Sequence, residues 1–250
     1  VCILIHTGSR GFGHQIATDY IRLFLSKQDQ WKLNLPDREL AYAPTHTKEA
    51  REYWHAMNSA ANYAFANRQI ITHLIRETFN KLLKTPPEQI KVLYDVAHNI
   101  AKVETHIING KSLKVIVHRK GATRAFGPSH PHLPPKFKET GQPVLIPGSM
   151  GTASYLLCGS DKSMEIALGS CCHGAGRMLS RAQAIKKHHG PLLKKELEEK
   201  GIKVAAGSMR GLAEEAPDAY KNVDEVVKAV EMAGIAIPVC RLKPIGVIKG

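Results

Sequence analysis

Residues 1–5, VCILI, form an unbroken apolar run with β-branched members, which predicts a buried central strand. The run gives way to the polar, glycine-bearing stretch HTGSRGFGHQ, and the pattern beyond it predicts a helix over residues 15–28. A much longer helical pattern, rich in Ala, Glu and Arg, covers residues 47–84, with Thr47 as its N-cap and Pro86 ending it. Apolar residues at 103–108 and 113–117 flank the tripeptide NGK, the signature of a β-hairpin turn. Residues 127–148 carry Pro128, Pro131, Pro134, Pro135, Pro143 and Pro147 and read as one long proline-rich loop. A short strand is predicted at 155–158, helices at 177–187 and 191–200, an amphipathic helix at 223–233 and an apolar, strand-like ending at 237–248. Strands and helices interleave without a regular βαβ rhythm, so the expected class is a single mixed α+β domain and not a Rossmann fold.

The chain has 250 residues, 43% of them hydrophobic, enough for a real core. Lys and Arg outnumber Asp and Glu by 35 to 22, a formal charge of +13 that favours a polyanionic partner such as RNA, DNA or nucleotides. Five cysteines, two of them adjacent and none in a CxxC pair, make a poor disulfide framework and point to a reducing, intracellular and cytoplasmic setting. No apolar run reaches the ~18 residues of a membrane helix. The first residues lack the basic and small-residue features of a signal peptide, and a chain that begins with Val inside a strand is expected to lack residues upstream.

Four polar islands interrupt the apolar segments: HTGSRGFGH, DVAHN, HRKGATR and SCCHGAGR. Each holds a histidine, and three join glycine to arginine. Imidazole is a common transition-metal ligand, and glycine with arginine is a phosphate-binding vocabulary, so together they point to a metal-assisted reaction on phosphates. Taken singly, His98 reads first as a core histidine bonded to a carbonyl. GSRGFG has no acidic residue placed after a second strand as the dinucleotide fingerprint requires, and neither a Walker A loop nor HExxH is present. Cys172 beside His173 argues against a thiol hydrolase, because neighbours on a strand point to opposite faces. Cys171 and Cys172 read as buried packing residues.

In order along the chain, HTGSRGFGHQ, DVAHN, HRKGATRAF, PGSMGTASY, CHGAGR and the ending KPIGVIKG resemble the RtcB family of GTP-dependent tRNA-splicing RNA ligases. The resemblance implies a single α+β domain with long helices packed around β-sheets. It implies the joining of RNA 3′-phosphate or 2′,3′-cyclic phosphate ends to 5′-hydroxyl ends, with GTP and manganese, two ions in the complete enzyme. It casts His173 as the nucleophile that becomes guanylylated, and His6 and His98 as manganese ligands. His98, Asn99, Pro147, Gly148, Ser149, Met150, Ser154, His173, Gly174, Ala175, Gly176 and Lys249 correspond to nucleotide contacts, Lys249 on the guanine. Arg10, Arg119, Lys120, Arg124 and Arg177 are candidates to hold phosphates of RNA or GTP, with structural ion pairs as the competing reading.

The family's DxxCG and GNHFxE motifs, which supply further metal ligands and nucleotide contacts, do not occur in this sequence. Residues 1–250 are therefore read as the C-terminal part of such a ligase domain, with a missing N-terminal polypeptide as a possible partner and no membrane partner. The alternatives are an inactive or complementing RNA-binding fragment and a metal-dependent phosphatase or nuclease.

Overall fold

The computed structural model describes residues 1–249. The fold is mixed α+β, as expected, and the chain divides into two compact units, Val1–Ala97 and the residues from His98 onward.

The N-terminal unit is helical. Helix α1 spans Arg10–Ser26 and α2 spans Lys48–Leu83, and the two pack on each other. Thr47 caps α2 as predicted, its hydroxyl accepting from the Ala50 N–H at 3.2 Å. Lys84 ends the helix in the left-handed conformation, its N–H returned to the Asn80 carbonyl. α1 begins five residues earlier than predicted, and Gly11 and Gly13 sit inside its first turns. A Cβ on Gly13 would collide with the Ser9 side chain and reach ordinary contact with the Ala60 Cβ of α2 at 3.5 Å, so the space Gly13 leaves is taken by Ser9. Phe24 of α1 is buried among the rings of Tyr20, Trp31 and Tyr53. The predicted strand at 1–5 is a correction: the segment has no regular secondary structure, and Val1, Ile3 and Leu4 are exposed. A strand exists only with a neighbour to pair with, and among the described residues nothing pairs with this one.

In the second unit, β1 (Asn99–Ile108) and β2 (Lys111–Lys120) form the predicted hairpin. Asn109 and Gly110, at φ of 51° and 74°, supply the two left-handed positions of a type I′ turn. β3 (Ala122–Arg124) follows at once and pairs with β6 (Ser170–Cys172), one short helix, α3 (Lys162–Ala167), preceding β6. β4 (Pro143–Ile146), β5 (Ser154–Gly159) and β8 (Ala236–Leu242) make an antiparallel sheet in the order β4-β5-β8, with Pro238 of β8 opposite Leu157 beside a register shift. α4 (Arg181–Lys187), α5 (Gly190–Glu199), α6 (Met209–Glu214) and α7 (Val223–Met232) complete the helices. β7 (Lys203–Ala206) pairs in parallel with β9 (Gly246–Lys249).

Three further expectations are corrected. The proline-rich stretch is not one loop, for β4 lies inside it: Pro143 takes the first strand position, where its missing N–H is tolerated, and Val144 and Ile146 are fully buried. The helix predicted from 177 starts at Arg181, because Ser180 and Gln183 form a capping box there. The apolar ending is two strands in different sheets, divided at Lys243 and Pro244.

Val144, Ile146 and Leu157 pack with Cys171 against Val223, Val227 and Val230, the i, i+4, i+7 stripe of α7. A second cluster joins Leu193 and Leu197 of α5, Leu212 of α6 and Val204 of β7 with Ile202 and Met150. Each such side chain, fully buried, contributes about 2 kcal/mol.

Candidate active site

The site is assembled where β1 begins, β2 ends and β6 ends. Gly121, between β2 and β3, holds φ of +66°, a conformation that suits glycine. Its N–H donates to the Asn99 Oδ1 at 3.0 Å, and its carbonyl accepts from the His173 N–H at 3.2 Å. The Ala122 N–H donates to the His98 carbonyl at 3.3 Å. These bonds lay the two imidazoles face to face: the His98 and His173 rings stack with centroids 3.7 Å apart and planes 10° apart. A Cβ on Gly121 would stand 3.6 Å from the His173 ring, so the turn also forms one wall for it.

Beyond His173, the loop Gly174, Ala175, Gly176 passes the 147–150 turn, where a Cβ on Gly174 would lie 3.5 Å from the Pro147 carbonyl. That turn is pinned from within. Gly148 cannot bear a Cβ, which would collide with the Ala153 carbonyl, and its N–H donates to the Ser154 Oγ at 3.3 Å. The Ser149 N–H donates to the Thr152 hydroxyl at 2.7 Å. Met150 and Ala175 are buried, one in each core. The result is two short backbone-rich loops side by side, next to a pair of imidazoles.

Cys171 is a core residue and Cys172 is half-buried, in keeping with packing roles. Interaction with the neighbouring Cys172 thiol, with burial, pushes the Cys171 thiol up. The same interaction, aided by the Gly174 N–H, holds the Cys172 thiol down, to about 7.

The five phosphate candidates fall into two groups. Arg119 is buried and committed: its guanidinium donates twice to Glu104 (2.8 and 2.9 Å), to the Ser170 Oγ (2.9 Å) and to the Leu168 carbonyl (2.9 Å). Arg124 donates to the same Glu104 at 2.6 Å. Arg177 donates to the carbonyls of Leu179 and Glu214 and to Tyr220 and Glu215. Arg10, in the N-terminal unit, and Lys120, at the end of β2, are exposed. Lys249 is held on β9, and its ammonium lies 3.3 Å from the Glu215 carboxylate. Gly250, the last residue of the KPIGVIKG motif, lies outside the described residues.

Three residues absent from the sequence reading organise these motifs. Glu104 joins Arg119, Arg124 and His106 in one buried cluster. Glu215 joins Lys249, Tyr220 and Arg177. In the N-terminal unit Arg68, nearly buried, donates to Asp95 at 2.6 Å and to the Thr7 carbonyl, tying the DVAHN and HTGSRG motifs to α2. His6 lies just before this anchored turn and is exposed.

His98 and His173 each offer a ring nitrogen, and these nitrogens lie within 4.8 Å of one another. Imidazole nitrogens gathered in this way suit a divalent first-row metal, so the cluster is consistent with metal use.

The match extends well beyond the motifs. A family profile described as "tRNA-splicing ligase RtcB" matches residues 1–250. The chain is 54% identical over 252 residues to a "tRNA-splicing ligase RtcB" of Pyrococcus abyssi, covering all of this chain and 28% of that protein. It is 53% identical to proteins of the same description from Thermococcus kodakarensis and Nanoarchaeum equitans, in each case covering all of this chain and 52% of the relative. The chain thus spans about half the length, or less, of these curated relatives. With six motifs in order, a profile match from end to end and identities above one half, the chain belongs to the RtcB family.

Proposed function

We propose that this chain carries the nucleotide-attacking part of a GTP-dependent RNA ligase that joins RNA 3′-phosphate or 2′,3′-cyclic phosphate ends to 5′-hydroxyl ends, in tRNA splicing and RNA repair. The observation that carries the proposal is the His173 imidazole, stacked on His98 and followed by the Gly174, Ala175, Gly176 loop. His173 in its neutral form has a nitrogen lone pair for the α-phosphorus of GTP; the P–N bond forms as the bond to pyrophosphate breaks. A 2′,3′-cyclic end is first opened by water, with the P–O2′ bond broken; the GMP group then passes from His173 to the RNA 3′-phosphate, and the 5′-hydroxyl, giving up its proton to solvent, attacks that phosphate with loss of GMP. The 147–150 and 174–176 backbones cradle the nucleotide, with Asn99 and Ser154 fixing the turns, and Lys249 donates to the guanine. Arg10 and Lys120, exposed and basic, are the best placed of the candidates to meet RNA phosphates. His6 and His98 are the manganese ligands of this chain, and the metal when bound supplies neutralisation of phosphate charge.

The reading as the C-terminal part of a larger catalytic domain is supported by surface area. The chain exposes 15931 Å², whereas even two separate compact bodies with the lengths of its two units would expose only about 13,000 Å². In the N-terminal unit the apolar side chains of Tyr63, Ile70 and Leu74 stand exposed on α2, as a surface awaiting cover would. The five free cysteines fit an intracellular setting, and no helix among the described residues is long and apolar enough to cross a membrane.

The test is incubation with manganese and α-labelled GTP, alone and with a polypeptide supplying the DxxCG and GNHFxE motifs. An acid-labile label on His173 is expected. Phosphate release or RNA cleavage without GTP would instead establish a phosphatase or nuclease, and RNA binding without any label a non-catalytic role.

A further inference from the structure

We propose that Glu215 is a positioning residue for base selection: its carboxylate holds the Lys249 ammonium in place and ties it to the loop that bears His173. The inference rests on the nucleotide reading above, in which Lys249 faces the guanine. Its structural basis stands apart from that reading.

Lys249 is fixed twice. Its carbonyl accepts from the Gly207 N–H at 2.8 Å, extending the parallel β7–β9 pairing that places it beside Ala206. Its side chain, 40% exposed, reaches one carboxylate, Glu215 Oε2, at 3.3 Å. Glu215 follows α6 and is itself held from the other side. The Tyr220 hydroxyl donates to Oε2 at 2.6 Å, and Arg177 Nη1 lies 3.4 Å from Oε1. Arg177 also donates to the Tyr220 oxygen at 2.8 Å, with its guanidinium over the Tyr220 ring. One carboxylate thus gathers a lysine from β9, an arginine that closes the CHGAGR motif, and a tyrosine. Burial alone would raise the Glu215 carboxyl, but the Tyr220 hydrogen bond and the Lys249 charge hold it below the usual range. Burial and the Glu215 charge push Tyr220 up to about 12, so its hydroxyl remains a donor at neutral pH.

A lysine on a four-carbon stem is a poor discriminator when free to swing, because its three donors serve any acceptor within reach. Held at one position, it favours a base that presents acceptors there, as guanine does with O6 and N7, over adenine, whose amino group replaces the O6 acceptor. Glu215 supplies that restraint. Through Arg177 the same carboxylate connects the lysine's placement to the loop after His173.

Two measurements test this. The first needs no nucleotide: the rate at which an amine-acylating reagent modifies Lys249, followed by mass spectrometry. In Glu215→Gln the rate is expected to rise several-fold, with Lys195 as an internal reference that does not change. The second compares covalent labelling by GTP and ATP in the protein complemented with the missing family motifs. Glu215→Gln is expected to lower GTP-over-ATP selectivity about tenfold, mainly through the KM for GTP. Glu215→Asp, which keeps the charge on a shorter stem, should recover part of it. A role in folding alone would lower the melting temperature and slow both nucleotides equally. An unchanged Lys249 modification rate would overturn the proposal, as would equal losses with GTP and ATP. If the wild-type protein takes no label from either nucleotide while the modification rate still rises, the nucleotide reading fails and the restraint on Lys249 stands.

Discussion

Replacing Glu104 by Gln removes the single negative charge from a cluster that holds Arg119, Arg124 and His106. The Glu104 side chain is 6% exposed and that of Arg119 2%, so water cannot take over for the lost partner. Burial alone would raise the Glu104 carboxyl. Its bonds to Arg119, His106 and Arg124 more than offset that and bring it from 4.5 down to about 2. At 1.36 kcal/mol per unit, the difference is worth about 3 kcal/mol. An independent expectation agrees: removing one partner of a buried ion pair costs about 3–5 kcal/mol. The folded-state value is depressed, so this stability is fully present above the unfolded-state value near 4.5 and is lost as pH falls toward 2. Urea unfolding followed by circular dichroism, with amide hydrogen exchange in β1 and β2, should show a loss of about 3 kcal/mol for Glu104→Gln at pH 7. Between pH 5 and 2 the wild type should lose stability more steeply than the variant. A loss below about 1 kcal/mol at pH 7, or equal acid slopes, would show that the cluster is not the support described.

Three other outcomes are expected. His173→Ala abolishes covalent labelling by GTP with the circular dichroism spectrum intact, while Cys172→Ala is far milder; the reverse result would move the nucleophile to the thiol. Gly121→Ala forces a side chain into left-handed backbone at a cost of about 1–2 kcal/mol, and the turn it strains carries the hydrogen bond to the His173 N–H, so labelling should fall more than the melting temperature predicts. The 250 residues alone should bind manganese weakly by titration calorimetry and more tightly after complementation, since two histidines leave much of a coordination shell to water; tight stoichiometric binding by the chain alone would refute this.

Local signals were legible where a short-range rule governs. Thr47 and Pro86 bracket α2 as predicted, and the Asn-Gly pair sets the hairpin turn. The valine stripe of α7 faces its core. What stayed hidden depends on partners distant in sequence. Residues 1–5 have the composition of a strand without a pairing neighbour among the described residues, and β4 passed for loop because its prolines outweighed Val144 and Ile146. The hairpin misleads most. Lys102, Glu104 and His106 lie on its inner side, while Val103 and Ile107 are exposed. Alternation alone assigns the apolar set to the core, and partners such as Arg119, fifteen residues away, and Arg124 make the charged face the buried one. The histidine and glycine motifs could be read from composition and order. Glu104, Glu215 and Arg68, which hold those motifs together, carry no local pattern that marks them.

Pro238 bears on how the protein behaves at high concentration. β8 lies at the outer end of its sheet, where an uncovered strand invites pairing with another molecule, and Ile237 and Val239 on either side are exposed. A proline there removes one amide donor, and the neighbouring register shift bends the remaining row out of line. An incoming strand would therefore meet a broken template. Replacing Pro238 with valine would restore the donor and join three apolar β-formers in succession, and self-association measured by light scattering should rise even if the folded chain becomes no less stable.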